Sequence, residues 1–337
     1  MTPSKTILGA AATLALAASG ALAQSGAEPG LIIDLGGKFD KSFNESAYNG
    51  AQRWVEETGG EYRETELQSE AQREQNMRRM AESGANPVVV LGFANASTLD
   101  KLAPDYPDTT FVIIDETVDQ PNVRSITFAE EEGSYLVGVL AAMASETGTV
   151  SFVGGMDVPL IRNFGCGYAQ GVLATNPDAE IIVNMTGTTP SAWNDPVKGG
   201  ELTRAQASQG SDVVFAAAGG TGVGVLQAAK DEGIYAIGVD SNQNYMQPGT
   251  VLTSMLKRVD NAVYDAFKAG AEGNLETGPV TLDLSTEGVG YAVDENNEAL
   301  LTPEMTAAVE EAKAKIVSGE IDVHNYNEDD SCPAVSF

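Results

Sequence analysis

The sequence predicts two doubly wound α/β lobes facing each other across a hinge cleft. Three observations carry this. Short apolar, largely β-branched runs recur from Leu31 to Val239, segments with polar faces and helical length lie between them, and the series restarts near Val150 after a first set ending near Asn122. Continuous apolar runs suit strands buried on both faces of a parallel sheet. Strands that alternate with helices of about 10–15 residues make βαβ units. The chain has 337 residues, which at roughly 100–200 residues per domain is about two domains.

The strands read, in order, as Leu31-Ile32-Ile33, Val88-Val89-Val90-Leu91, Phe111-Val112-Ile113-Ile114, Val150-Ser151-Phe152-Val153, Ile181-Ile182-Val183, Val213-Val214-Phe215 and 234–239. Helical segments fall at 43–58, 68–84, 130–145, 194–209 and 222–232. The run Glu130-Glu131-Glu132 reads as a solvated first turn favoured by the helix dipole. Beyond Asp240 come a strand at 249–257, a helix at 259–271 and a strand at 280–284. That extra unit fits a chain that crosses back to the first lobe and returns. A last helix, 303–317, has Thr302 as N-cap and Pro303 at its first position. The division expected is a leader over 1–23, a first lobe of 24–127 plus about 254–280, and a second lobe of 128–253 plus about 281–337.

Lys5 is the only charge in the first 27 residues; an apolar run, Ile7 to Ala18, and Ala21-Leu22-Ala23 follow it. This is the form of a cleaved secretory signal peptide. No cysteine follows the cleavage site, so the expected protein is periplasmic and not a lipoprotein. Export to an oxidising compartment makes the two cysteines, Cys166 and Cys332, a disulfide candidate, since they allow only one intramolecular pairing.

Lys and Arg number 19 against 48 Asp and Glu, a net charge of −29. Such a chain repels phosphate backbones and anionic membranes, so no nucleic-acid partner is expected. His324 is the one histidine. Histidine-rich metal sites and Ser-His-Asp chemistry are therefore not expected, and neither a catalytic group, a metal nor a cofactor is predicted.

Ligands in open α/β sheets sit at the carboxyl ends of the strands. Residues there include Asp40, Phe43 and Asn44 after the first strand, Asp115 after the Phe111 strand, and Asp240 after the Ile234 strand. Gly220-x-Gly222-x-Gly224 lies between a strand and a helix, but the spacing is not that of a dinucleotide loop. A helix N-terminus and an Asp at the next strand end would still suit a ribose without phosphate. Phe43 and Phe215, from opposite lobes, could clamp a flat ring. Trp193 could be cleft wall or lobe surface.

Six motifs, in order, resemble the basic membrane protein family of ABC-transporter substrate-binding proteins, in the branch that includes purine nucleoside receptors. They are 39–44 (Phe39-Asp40-Lys41-Ser42-Phe43-Asn44), 133–138, 193–199, 218–222, 238–243 and 254–260. The resemblance implies a type I periplasmic-binding-protein fold with three hinge crossings and capture of a nucleoside for an inner-membrane permease. It also implies roles. Phe43 and Phe215 would stack on the base, Asp115 and Asn44 would read its edge, and Asp240 and Lys257 would bond the ribose hydroxyls. Gly220 would offer a backbone N–H, with Asp40, Phe128 and Trp193 as further candidates. The expected protein is a monomeric solute receptor and not an enzyme; a free nucleobase or a sugar is the alternative ligand.

Overall fold

The computed structural model describes Met1 and residues 28–337. The leader expected over 1–23, Met1 apart, lies outside the described residues. The chain begins with β1 (Gly30–Ile33), α1 (Phe43–Thr58), β2 (Arg63–Glu66), α2 (Arg73–Glu82), β3 (Val88–Leu91), α3 (Ala96–Leu102), β4 (Phe111–Ile114) and β5 (Val123–Phe128). It crosses through α4 (Glu130–Ala144) into β6 (Thr149–Met156), α5 (Pro159–Thr175), β7 (Glu180–Gly187), α6 (Pro196–Ser208), β8 (Val213–Ala217), α7 (Gly222–Glu232), β9 (Tyr235–Asp240) and β10 (Val251–Lys257). It returns through α8 (Val259–Glu272) and β11 (Gly278–Leu282), then ends with β12 (Val289–Tyr291) and α9 (Pro303–Val317).

Two six-stranded sheets result, in the orders β11-β5-β4-β3-β1-β2 and β12-β10-β9-β8-β6-β7. Every pairing is parallel except that of β12 with β10. Both sheets are covered by helices, and their central strands are buried along their whole length. The chain passes between sheets at 128–130, 257–259 and 282–289.

The crossing expected at about 254 falls later. β10 stays in register with β9 from Ser254 opposite Gly238 to Leu256 opposite Asp240, and Lys257 pairs with Val289 of β12, so 254–257 all lie in the second sheet. β11 likewise keeps Thr281 and Leu282 in the first.

Three strands and two helices escaped the sequence reading. β2 is Arg-Glu-Thr-Glu, a polar edge strand with no apolar signal. β5 alternates polar and apolar residues, and β12 is three residues long. α3 is a short helix of seven residues. α5 carries glycines at 165, 167 and 171, which read as breakers. They serve contact with α4: a Cβ on Gly167 would meet the Glu131 carbonyl oxygen at 2.3 Å, and one on Gly171 that of Tyr135 at 2.1 Å.

Candidate functional site

The carboxyl ends of β1, β4, β8, β9 and β10 converge on one void between the sheets, about 610 Å³ including its mouth. The first sheet borders it with Asp34, Phe43, Asn44 and Asp115, the second with Phe164, Trp193 and Asp240; Lys257 stands at a crossing. Asp115 (φ 76°) and Asp240 (φ 63°) end their strands in the left-handed region. Non-glycine residues are held there only when the surroundings fix them, at a cost of order 1–3 kcal/mol, and such residues cluster at functional sites.

The loop between β1 and α1 is built around Asp40. Its carboxylate accepts from the N–H groups of Ser42 (2.8 Å), Asn44 (3.0 Å) and Glu45 (3.1 Å), which caps the first turn of α1. That turn presents Phe43 and Asn44 to the void. The Asn44 amide donates to the carbonyls of Asp34 (3.3 Å), Leu35 (3.4 Å) and Gly37 (3.3 Å). Its Oδ1, buried, has no protein partner. Asp34 is held by Arg73 at 2.6 Å.

The second lobe clasps the same loop. Ser42 Oγ donates to Asp240, Ser241 Oγ to the Ser42 carbonyl (3.1 Å), and Gln243 Nε2 to the Lys41 carbonyl (2.9 Å). These bonds span the cleft, so the lobes are closed on each other.

Lys257 is 1% exposed. Its Nζ lies 2.6 Å from Asp115 Oδ1 and 2.9 Å from Glu130 Oε1, with the rings of Phe128, Phe164 and Phe43 at 5.1, 5.4 and 5.5 Å. Burial works against its charge, but Asp115, Glu130 and Asp240 outweigh burial and hold its pKa above the ordinary lysine value. Burial pushes the Asp240 carboxyl up to about 6, against Lys257 and the Ser42 hydroxyl. Asp40 is likewise pushed up to about 6 by burial, in spite of its three N–H donors.

Phe215 does not reach this site. The strand expected to end there runs on to Ala217, which pairs near Gly154, and the residues at the void are Ala217, Ala218 and Gly219. Phe215 is fully buried against Phe152 and Tyr168, with ring centroids 5.5 and 5.3 Å away. Besides Trp193, the second lobe presents Phe164 to the void, on helix α5.

Phe128 is buried beside Lys257 and borders a neighbouring cleft. Gly220 borders a shallow depression at the mouth with Asp40. Trp193 lines the void with its ring against Gly155, where a Cβ would meet it at 2.2 Å. The solvated turn expected at 130–132 is corrected as well: Glu130 and Glu131 are buried, because the tail and α5 cover them. The i, i+1, i+4 spacing of Leu160, Ile161 and Phe164 after Pro159 was the signal available for the missed wall.

A family model described as ABC transporter substrate-binding protein PnrA-like matches residues 30–327. The chain belongs to this family. A curated relative, "ABC transporter nucleoside-binding protein BmpA" of Lactococcus lactis subsp. cremoris, is 32% identical, covering 87% of this chain and 88% of the relative. An uncharacterized lipoprotein of Pyrococcus abyssi is 33% identical, over 86% and 82%. The crystal structure of an ABC transporter solute-binding protein from Aeropyrum pernix K1 superposes with a TM-score of 0.82 at 31% identity, over 90% of this chain and 95% of that one. These neighbours share the type I binding-protein fold, and this PnrA-like chain is a substrate-binding protein of an ABC transporter.

One expectation is overturned by the relatives. Freedom from a lipid anchor rested on the missing cysteine after Ala23 alone, whereas similar family members in Pyrococcus are lipoproteins. Cys166 and Cys332 are joined as a disulfide, with Cα atoms 5.7 Å apart. No described helix is long and apolar enough to cross a membrane.

Proposed function

We propose that this chain captures a nucleoside, a purine nucleoside foremost, between its lobes as a monomer and hands it to a membrane permease, without chemistry on the ligand. The observation that carries this is one void bordered by a ring from each lobe, Phe43 and Phe164, with Asp115 and Asp240 on strand ends. Two rings offer faces for a flat base. The carboxylates and the unpartnered Asn44 Oδ1 are acceptors, which suit the N–H groups of a base and the hydroxyls of a ribose. Asp115 and Asn44 would read the base; Asp240 and Lys257 would take the hydroxyls. The name of the Lactococcus relative points the same way.

Five carboxylates, Asp34, Asp40, Asp115, Glu130 and Asp240, surround two cations, Arg73 and Lys257. That excess disfavours phosphorylated ligands. Calorimetric titration with inosine, guanosine and adenosine, their free bases, their monophosphates, and ribose tests the reading. Heat from nucleosides alone is the expected result. Heat from bases alone, or from sugars alone, would keep the receptor and overturn the ligand.

A further inference from the structure

Two buried acids stand beside the site: Glu130, which pairs with Lys257, and its neighbour Glu131. What holds them is Asn163, one residue before the void-lining Phe164 on α5 and fully buried. Asn163 Nδ2 donates to Glu131 Oε2 at 2.7 Å and to Glu130 Oε2 at 3.4 Å. Its Oδ1 accepts from the Tyr326 N–H at 2.9 Å. Both N–H donors and the oxygen of the amide are thus engaged, and a flipped amide would turn its oxygen on two carboxylates. The other oxygen of Glu130 is the one at Lys257.

Tyr326 belongs to the C-terminal tail, and that tail is tied down on α5. The Cys166–Cys332 disulfide joins them. Gln170 and His324 exchange two hydrogen bonds, from His324 N (2.9 Å) and from Gln170 Nε2 (3.0 Å). Arg162 donates to the Tyr326 hydroxyl at 2.8 Å, and Asn325 Nδ2 to Glu131 Oε1 at 3.1 Å. One face of α5 lines the void and the opposite face carries the tail.

We infer that Asn163 is a positioning residue of the binding site: anchored by the tail, it orients Glu130 and through it fixes the Lys257 ammonium at the void. The inference rests on the void being the ligand site. Two carboxylates side by side repel, and the shared amide offsets that repulsion; without it Glu130 keeps its attraction to Lys257 but loses the contact that fixes its second oxygen and hence the direction of its approach. Asn163 touches no ligand; it acts two bonds away.

The test has an arm that needs no ligand. Lys257 Nζ is followed by nitrogen-15 NMR in the full chain and in Asn163→Ala, with Lys257→Met assigning the signal. The slowly exchanging ammonium signal expected of a buried ion pair should broaden or shift in Asn163→Ala. A sharp, unshifted signal in a folded Asn163→Ala overturns the inference, whatever happens to its unfolding temperature. If Asn163→Ala does not fold, Asn163→Ser, which leaves one donor for two carboxylates, is read the same way. In the second arm, inosine, guanosine and adenosine are titrated, and Asn163→Ala should bind about tenfold more weakly, in line with the loss of hydrogen bonds to charged groups. An unchanged dissociation constant also overturns the inference. Should the unaltered protein bind none of inosine, guanosine and adenosine, the nucleoside reading fails, and the NMR arm alone decides for Asn163.

Discussion

The two lobes build their halves of the site by different means. The first lobe uses a loop. Asp40 gathers three N–H groups, and Asn44 three carbonyls, so the segment from Asp34 to Glu45 holds itself in shape. The second lobe uses a helix held from behind, with Phe164 on one face of α5 and a disulfide-bonded tail on the other. A loop that carries its own hydrogen bonds can form when the lobe folds. A helix braced by a tail whose disulfide partner lies 166 residues later in the chain depends on long-range contacts, whose ordering must be offset by the contacts themselves.

Lys257 stands where both halves of the site meet. Lys257→Met would leave Asp115, Glu130 and Asp240 buried without their counter-charge. Removing one partner of a buried ion cluster costs about 3–5 kcal/mol. Urea unfolding at pH 7.5 should show a loss of that size, with ligand binding abolished. The loss should shrink at pH 5, where Asp240 and Glu130, whose carboxyls burial already pushes up, take up protons instead. A loss under 1 kcal/mol at pH 7.5, on this scale, would mean that the cluster is not a working ion network.

Phe215→Ala and Phe164→Ala come next, and they separate core from wall within the second lobe. Phe215 fills the space between Phe152 and Tyr168, so its removal should cost about 3–5 kcal/mol of stability by leaving a cavity. The dissociation constant of the folded variant should hardly change. Phe164→Ala and Phe43→Ala should weaken ligand binding instead, by about 1–3 kcal/mol each if the rings stack on a base. Phe215→Ala weakening binding as much as Phe164→Ala would put the clamp back where the sequence placed it.

Phe215 and Phe164 also show what was legible. A stretch of apolar strand followed by Ala-Ala-Ala-Gly-Gly gives no sign of where the strand stops, because alanine fits strand, loop and helix alike. The site lay two residues further on than the last large apolar residue. α5 was hidden because its glycines, which let its backbone meet that of α4, resemble turn residues when read locally. The first lobe was read more fully: α1 was placed at its observed ends, and its strand-end Asp, Phe and Asn residues do border the void. Polar residues after a strand announce themselves, whereas an aromatic wall on a helix looks like any core residue. Glu130 and Glu131 were misread for the opposite reason. An acidic helix start is usually solvated, and only the tail, far off in sequence, buries this one.

The smallest effects concern Asp40 and Asp240, two buried acids on opposite lobes, both with a carboxyl pushed from 3.8 up to about 6. Each holds its proton more tightly in the folded chain than in the unfolded one. Folding therefore takes up protons between pH 3.8 and about 6, and stability falls as pH rises through that window. Ligand-free protein should need more urea to unfold at pH 5 than at pH 7.5. Asp240→Asn and Asp40→Asn should each flatten that slope, Asp40→Asn at the added cost of a weakened cap, about 0.5–2 kcal/mol. Ligand affinity should tell the two apart. If ribose hydroxyls donate to Asp240, binding favours its ionised form, so affinity should rise from pH 5 to pH 7.5. Asp240→Asn should remove that rise, and Asp40→Asn should leave it, because the Asp40 oxygens are already committed to the N–H groups of α1. A rise that disappears in both variants would mean that the closed loop, and not the ribose contact, is what titrates.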